Sequence, residues 1–189
     1  MCSNAMNLFR KKQTFYLLLV VSIIMMMLMF HTGKDLQIPA TPLGIIHLEL
    51  ASNKPAVQSV LTAWEESSSF ENNLIEKSRI NTFLDFLFLV AYTLLFYTCC
   101  VILASELAHN KVWTKILHRI AALALLAGLL DVLENIGMLI SLCGNSTNTV
   151  ALITSLASYV KWSLVLATLA TIVAAFFYKT TAVKKHKQS

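Results

Sequence analysis

The chain reads as an all-α integral membrane protein in which four transmembrane helices form an up-down-up-down bundle with a short amphipathic, extracytoplasmic helical segment. Three observations predict this. Of 189 residues 57% are hydrophobic and 13% charged, against about 25% charged in an ordinary soluble domain, which is too little polar material to cover a water-facing surface. Four apolar stretches, at about 14–30, 81–104, 120–142 and 150–178, each approach or exceed the roughly 20 helical residues that a hydrocarbon core requires. The basic residues, finally, sort by stretch.

Arg10, Lys11 and Lys12 precede the first span, Lys111, Lys115 and Arg119 lie between the second and third, and Lys179, Lys184, Lys185 and Lys187 follow the fourth. Residues 31–80, on the other side, carry four basic against six acidic groups. Because cytoplasmic loops are enriched in Lys and Arg, this asymmetry places both termini in the cytoplasm of a multi-pass cell-membrane protein. The formal charge of +5 is therefore a topology signal and does not point to nucleic acid.

Residues 1–13 are expected to be a cytoplasmic tail, with 1–5, ahead of a second methionine at Met6, left out of fold reasoning. The single membrane domain spans 14–178, and 179–189 form a basic cytoplasmic tail that also suits anionic headgroups. The first span reads as an uncleaved anchor. Its apolar run is longer than the usual core of a signal peptide, and no small-x-small cleavage site follows Phe30.

Residues 31–80 are too apolar for a plain linker and are expected on the membrane surface. Residues 43–51 suit a short helix. Asn53 is a natural N-cap for a second one, with Pro55 in its first turn and Val57, Val60, Leu61 and Trp64 on one face. That face would cap the bundle, with Trp64 at headgroup depth. Ser67, Ser68 and Ser69 break the pattern, and a helix from about Phe70 is expected to run into the second span. The short loop from Cys143 to Asn148 makes spans three and four antiparallel neighbours.

Asp85, Asp131, Glu134 and Lys161 lie inside these lipid-spanning stretches, where an ionised side chain costs roughly 2.5–3.5 kcal/mol at the helix centre and so requires a partner or a task. On span three, Ala121, Ala124, Gly128, Asp131, Asn135, Met138 and Leu142 alternate steps of three and four and share one stripe, with Glu134 on the same side. Ala124 and Gly128 allow a neighbouring backbone to approach. Span two sets Asp85, Tyr92 and Cys99 seven apart, and span four offers Thr154, Ser158, Lys161 and Thr168 at similar spacing. Span one carries little beyond Tyr16 and Ser22 and is expected at the lipid-exposed edge.

At about 1.5 Å per residue, Asp131 lies roughly 18 Å from Arg119 and Lys161 roughly 16 Å from Val150, which brings both near the middle of a core about 30 Å thick. Glu134 and Asp85 fall nearer the outer face. Three acids against one lysine leave a surplus of negative charge. A dry bundle tolerates it only if an acid binds a proton or if a cationic ligand, metal ion or water compensates.

Asp85, Tyr92, Asp131, Glu134, Asn135, Ser158 and Lys161 are thus the candidate ligand-binding residues, in the outer half of the bilayer. The leading expectation is binding of a lipophilic or cationic small molecule, a lipid or a partner helix. Three alternatives stay open: a membrane-embedded enzyme with Asp131 or Glu134 as acid/base, a proton- or ion-coupled transport component, and a charge network that only fixes helix register. The implied partners are the lipid bilayer, a lipid or lipophilic ligand, and a second copy or partner membrane protein. No cofactor or metal is called for.

Other signals are weaker. Met25, Met26, Met27 and Met29, followed by His31, contain soft ligands, but methionine is also an ordinary membrane residue. Cys99 and Cys100 are adjacent, unlike a Cys-x-x-Cys redox centre, and His109 and His118 fit no familiar zinc spacing. No nucleophile elbow, P-loop or histidine-box array occurs.

Overall fold

Asparagine side chains open three of the helices. The Asn53 side chain accepts from the Ala56 amide, that of Asn73 from the Glu76 amide, and that of Asn110 from the amides of Val112 and Trp113, so orphan donors at each start are satisfied. The structure, a computed structural model, describes residues 12–186, with side chains described through residue 181. Residues 1–11 of the expected N-terminal tail and 187–189 of the expected C-terminal tail therefore lie outside the described residues, while 12–13 and 179–186 continue the first and last helices.

The helices are α1 (Lys12–Gly33), α2 (Ile45–Glu49), α3 (Lys54–Glu66), α4 (Leu74–Glu106), α5 (Lys111–Leu142) and α6 (Asn148–His186), with a 3-10 turn at Lys34–Leu36. Helix makes up 84% of the structure and no strand occurs among the described residues, so the all-α expectation holds. Four helices, α1, α4, α5 and α6, are long and apolar enough to cross a membrane.

These helices overrun the apolar stretches that announced them. At 33 residues α4 is about 50 Å long, against a hydrocarbon core of about 30 Å. Its first turns belong to the cap, and it begins at Leu74 rather than near Phe70. The serine break is built from hydrogen bonds: Ser68 Oγ donates to the Trp64 carbonyl and accepts from the Leu74 amide.

Helix α5 packs extensively against both α4 and α6, and α4 against α1. Contact between α4 and α6 is slighter, and α1 scarcely touches α6. All seven residues of the expected α5 stripe are buried. A Cβ on Gly128 would collide with the Thr93 side chain, and one on Gly137 with Thr154, so the two glycines set the close approach of α4 and α6 to α5. Gly137 was not among the small residues singled out from spacing.

Helix α1 is the outlying element, with Ser22 its one buried residue. Polar bonds at one end hold it to α4: Asn81 Nδ2 donates to the Met29 carbonyl and to Thr32 Oγ1, and Lys77 pairs with Asp35. At the far end, Asn110 Nδ2 donates to Tyr178 Oη, and Lys179 pairs with Glu106 at 2.8 Å.

The segment between α1 and α4 caps one end of the bundle, as expected. Trp64 is fully buried: its indole packs with Leu36, Leu48, Val57 and Leu74 against Met138 and Leu142 at the end of α5, and Nε1 donates to the Leu36 carbonyl and Thr41 Oγ1. The cap offers the indole both an apolar slot and two acceptors. The expected inner face of α3, Val57, Val60 and Trp64, thus caps the bundle through a core shared with the ends of α4, α5 and α6. Lys54 N donates to Asn148 Oδ1 at the start of α6, and an Arg79 nitrogen donates to the Leu142 carbonyl, tying the cap to the helix ends.

Candidate functional site

Lys161 is the hub. Its Nζ lies 2.8 Å from Glu134 Oε1, 3.0 Å from Asp131 Oδ1 and 4.0 Å from Glu49 Oε2, and all four side chains are nearly sealed from solvent. Helical geometry explains the first two contacts. Asp131 and Glu134 stand one turn apart on α5, so one ammonium from α6 reaches both.

Two further bonds extend the network to α4. Tyr92 Oη donates to Asp131 Oδ2 at 2.7 Å, and Asn135 Nδ2 donates to Asp85 Oδ2 at 2.7 Å. The spacing of seven that aligned Asp85 with Tyr92 and the spacing of four that aligned Asp131 with Asn135 therefore meet rung by rung. Cys99, seven beyond Tyr92, packs at the edge of a different apolar cluster near the far end of the bundle.

Glu49 is the residue that spacing missed. It was counted among the charges of the water-facing side, yet it is 7% exposed because α2 dips from the cap into the bundle. Ser158 Oγ and Trp162 Nε1 each donate to its Oε2 at 3.4 Å. The one available signal was its setting, a single acid in the run Ile45-Ile46-His47-Leu48-Glu49-Leu50.

A cavity of about 410 Å³ opens beside this network, within the 300–1,000 Å³ typical of small-molecule sites. Asp85, Asp131, Glu49, Lys161, Tyr92 and Asn81 contribute its polar lining. Phe88, Phe96 and Trp162 add aromatic faces, Met26 and Met29 close it from α1, Ile45 and Ile46 from α2, and Val165 from α6. Glu134, Asn135 and Ser158 stand behind this wall. They hold the lining in place without facing the space.

The charge balance is more acidic than spans alone implied: four carboxylates now share one lysine. Asp131 Oδ1 and Glu134 Oε1 both touch the same nitrogen, which keeps them close enough to repel by about 3 kcal/mol or more at an effective dielectric of about 20. One ammonium cannot offset that for all four groups. Protons, water or a further cation would compensate the remainder.

Hydrogen bonding tells the same story. Among the cavity-lining residues the donors are engaged: Tyr92 on Asp131, Lys161 on its acids, Asn81 Nδ2 on α1 and Trp162 on Glu49. Acceptors are left over. Asn81 Oδ1 has no partner although Asn81 is 1% exposed, and Asp85, half-buried, commits only Oδ2 to Asn135. Behind the wall, Glu134 Oε2 and Asn135 Oδ1 are also unmatched.

Met26 and Met29 serve as cavity wall, and no cluster of three His, Cys, Asp or Glu side chains among the described residues is arranged to hold a metal ion. Cys99, Cys100 and Cys143 are free thiols.

No protein-family model, curated protein or solved structure matches this chain. Its function is accordingly argued from the site alone.

Proposed function

We propose that this is a multi-pass cell-membrane protein whose acidic cavity binds a lipophilic cation, an amine that carries both a positive charge and an apolar body. The acceptors left without a donor on the cavity wall, the buried Asn81 Oδ1 and the second oxygen of Asp85, carry the reading: a ligand bearing N–H groups and charge satisfies them, whereas a phosphate or carboxylate would add further acceptors. The aromatic faces of Phe88, Tyr92, Phe96 and Trp162 suit a cation and its apolar body equally.

Binding is favoured over the acid/base alternative. Both oxygens of Asp131 are occupied, and Glu134 stands behind the wall, so neither acid presents a free oxygen to a substrate.

In this reading the long helices run up-down-up-down, with the cap outside and Lys12, Lys111, Lys115, Arg119 and Lys179 at the cytoplasmic end. Two contacts support the alternation, since the start of α4 meets the end of α5 through Arg79 and the end of α4 meets α6 through Glu106 and Lys179. Cys143 is exposed beside the cap while Cys100 is buried. A membrane-impermeant maleimide applied to intact cells is therefore expected to label Cys143, and loss of that label in Cys143→Ser to confirm the position. Labelling only after permeabilisation would invert the topology.

For the site, hexylamine is expected to raise the unfolding temperature of the purified protein, with hexanol much weaker and hexanoate without effect. Asp85→Asn removes the charge of a cavity-lining acid that keeps one oxygen uncommitted and has no ion pair with Lys161. Loss of a desolvated charge partner costs about 2–5 kcal/mol, so hexylamine affinity should drop by at least about tenfold, read by isothermal titration. Equal stabilisation by amine and carboxylate would sink the proposal.

A further inference from the structure

The cavity is not walled on all sides by packed helix. Helices α1 and α6 scarcely touch, and the side chains that line the cavity between them also face outward: Met26 on α1 is 54% exposed and Trp162 on α6 is 43% exposed. Above this gap the cap is closed by the core around Trp64, and the far end of the bundle is closed by the cluster around Leu103, Leu117 and Ala175. The open face therefore looks sideways. In a bilayer that direction holds acyl chains.

Two acceptors left for a ligand, the second oxygen of Asp85 and the partnerless Asn81 oxygen, belong to α4, while Met26, Met29, Trp162 and Val165 frame the gap; Glu49 on α2 and Lys161 on α6 add further polar lining. Asn81 and Asp85 are four apart on α4 and so lie on one face of that helix, offering two acceptors to a single ammonium. The volume of about 410 Å³ fits an ammonium head and the first part of one hydrocarbon chain.

Resting on the cation-binding reading above, we infer that the ligand is a single-chain, membrane-resident primary amine that enters sideways between α1 and α6, with its ammonium at Asp85 and Asn81 and its hydrocarbon chain leaving through the gap beside Met26 and Trp162. Such a ligand never crosses water on its way in. The chain gains little from burial against protein rather than lipid, since lipid tails are as apolar as Leu, so specificity rests on the head while the chain sets the route.

The test uses the full chain in nanodiscs with a dodecylamine that carries a photoreactive diazirine at mid-chain. Adducts mapped by mass spectrometry are expected on Met26, Met29, Trp162 or Val165, and unlabelled dodecylamine in excess should abolish them. Adducts concentrated instead on the outer cap, around Leu43, Leu50 and Ser59, would place the opening on the aqueous side and overturn the inference. It would equally fall if the probe labelled α1 and α6 at undiminished yield in the presence of excess dodecylamine, which marks lipid-phase background without a site. Hexylamine binding serves as the separating control: hexylamine binding with cap adducts defeats only the side opening, whereas no binding by either amine defeats the cation reading beneath it.

Discussion

Lys161→Met is expected to lower the stability of the folded protein by about 3–5 kcal/mol, the cost of removing one partner from a buried charge cluster. The substitution keeps much of the side-chain length, so the loss reports charge rather than a cavity. Asp131, Glu134 and Glu49 would then stand close together with no cation among them. Unfolding in mixed micelles by stepwise addition of a denaturing detergent provides the measurement. Combining Lys161→Met with Asp131→Asn and Glu134→Gln should recover most of the loss, because the unpaired charges go with it. A Lys161→Met protein as stable as the parent would mean that the cluster is neutral without its lysine, and the case for a charge-driven site would end there.

Trp64→Ala is expected to cost a comparable 3–5 kcal/mol, the range for removing a large aromatic side chain from a packed interior. The effect follows from position. Trp64 is fully buried where the cap meets the ends of α4 and α5, and the change would also strand the Leu36 carbonyl and Thr41 Oγ1 that share its indole N–H. Trp64→Phe should lose less, about 2 kcal/mol, since it keeps a six-membered aromatic ring and forfeits the five-membered half of the indole with its hydrogen bonds. The consequence reaches the site, because the cap carries α2 and hence Glu49. Amine binding should therefore weaken in Trp64→Ala even though Trp64 lies outside the cavity. Unchanged stability in Trp64→Ala would contradict a packed cap and return residues 31–80 to a loose surface layer.

Much of the site was legible from spacing. The run Ala121, Ala124, Gly128, Asp131, Asn135, Met138 and Leu142 identified the buried face of α5, since a helix repeats every 3.6 residues and lipid-facing positions carry no such polar pair. Asn53, Pro55, Val57, Val60 and Trp64 likewise located α3 and its inner face, because capping and amphipathic periodicity are local properties. Depth along each span followed from rise per residue, which is why Asp131 and Lys161 were expected at one level. They form an ion pair.

What spacing missed was decided by contacts between distant segments. Glu49 looked like one more acid on the water side, and only the fold of the cap brings α2 down beside Ser158 and Lys161, more than a hundred residues away. Trp64 carried the composition of an interfacial residue, and its burial came from the slot formed by Leu36, Leu74 and Met138. Gly137 gained meaning only once Thr154 stood against it.

By itself the amino-acid sequence determined the helical class, the four long apolar helices and the packed face of α5, because these depend on composition and on a period within one helix. The tertiary structure alone decided that the acids number four, that Asn81 and Asp85 bring partnerless acceptors to a cavity, and that the gap lies between α1 and α6. Each of those depends on which helices touch, and periodicity within a helix carries no information about its neighbour.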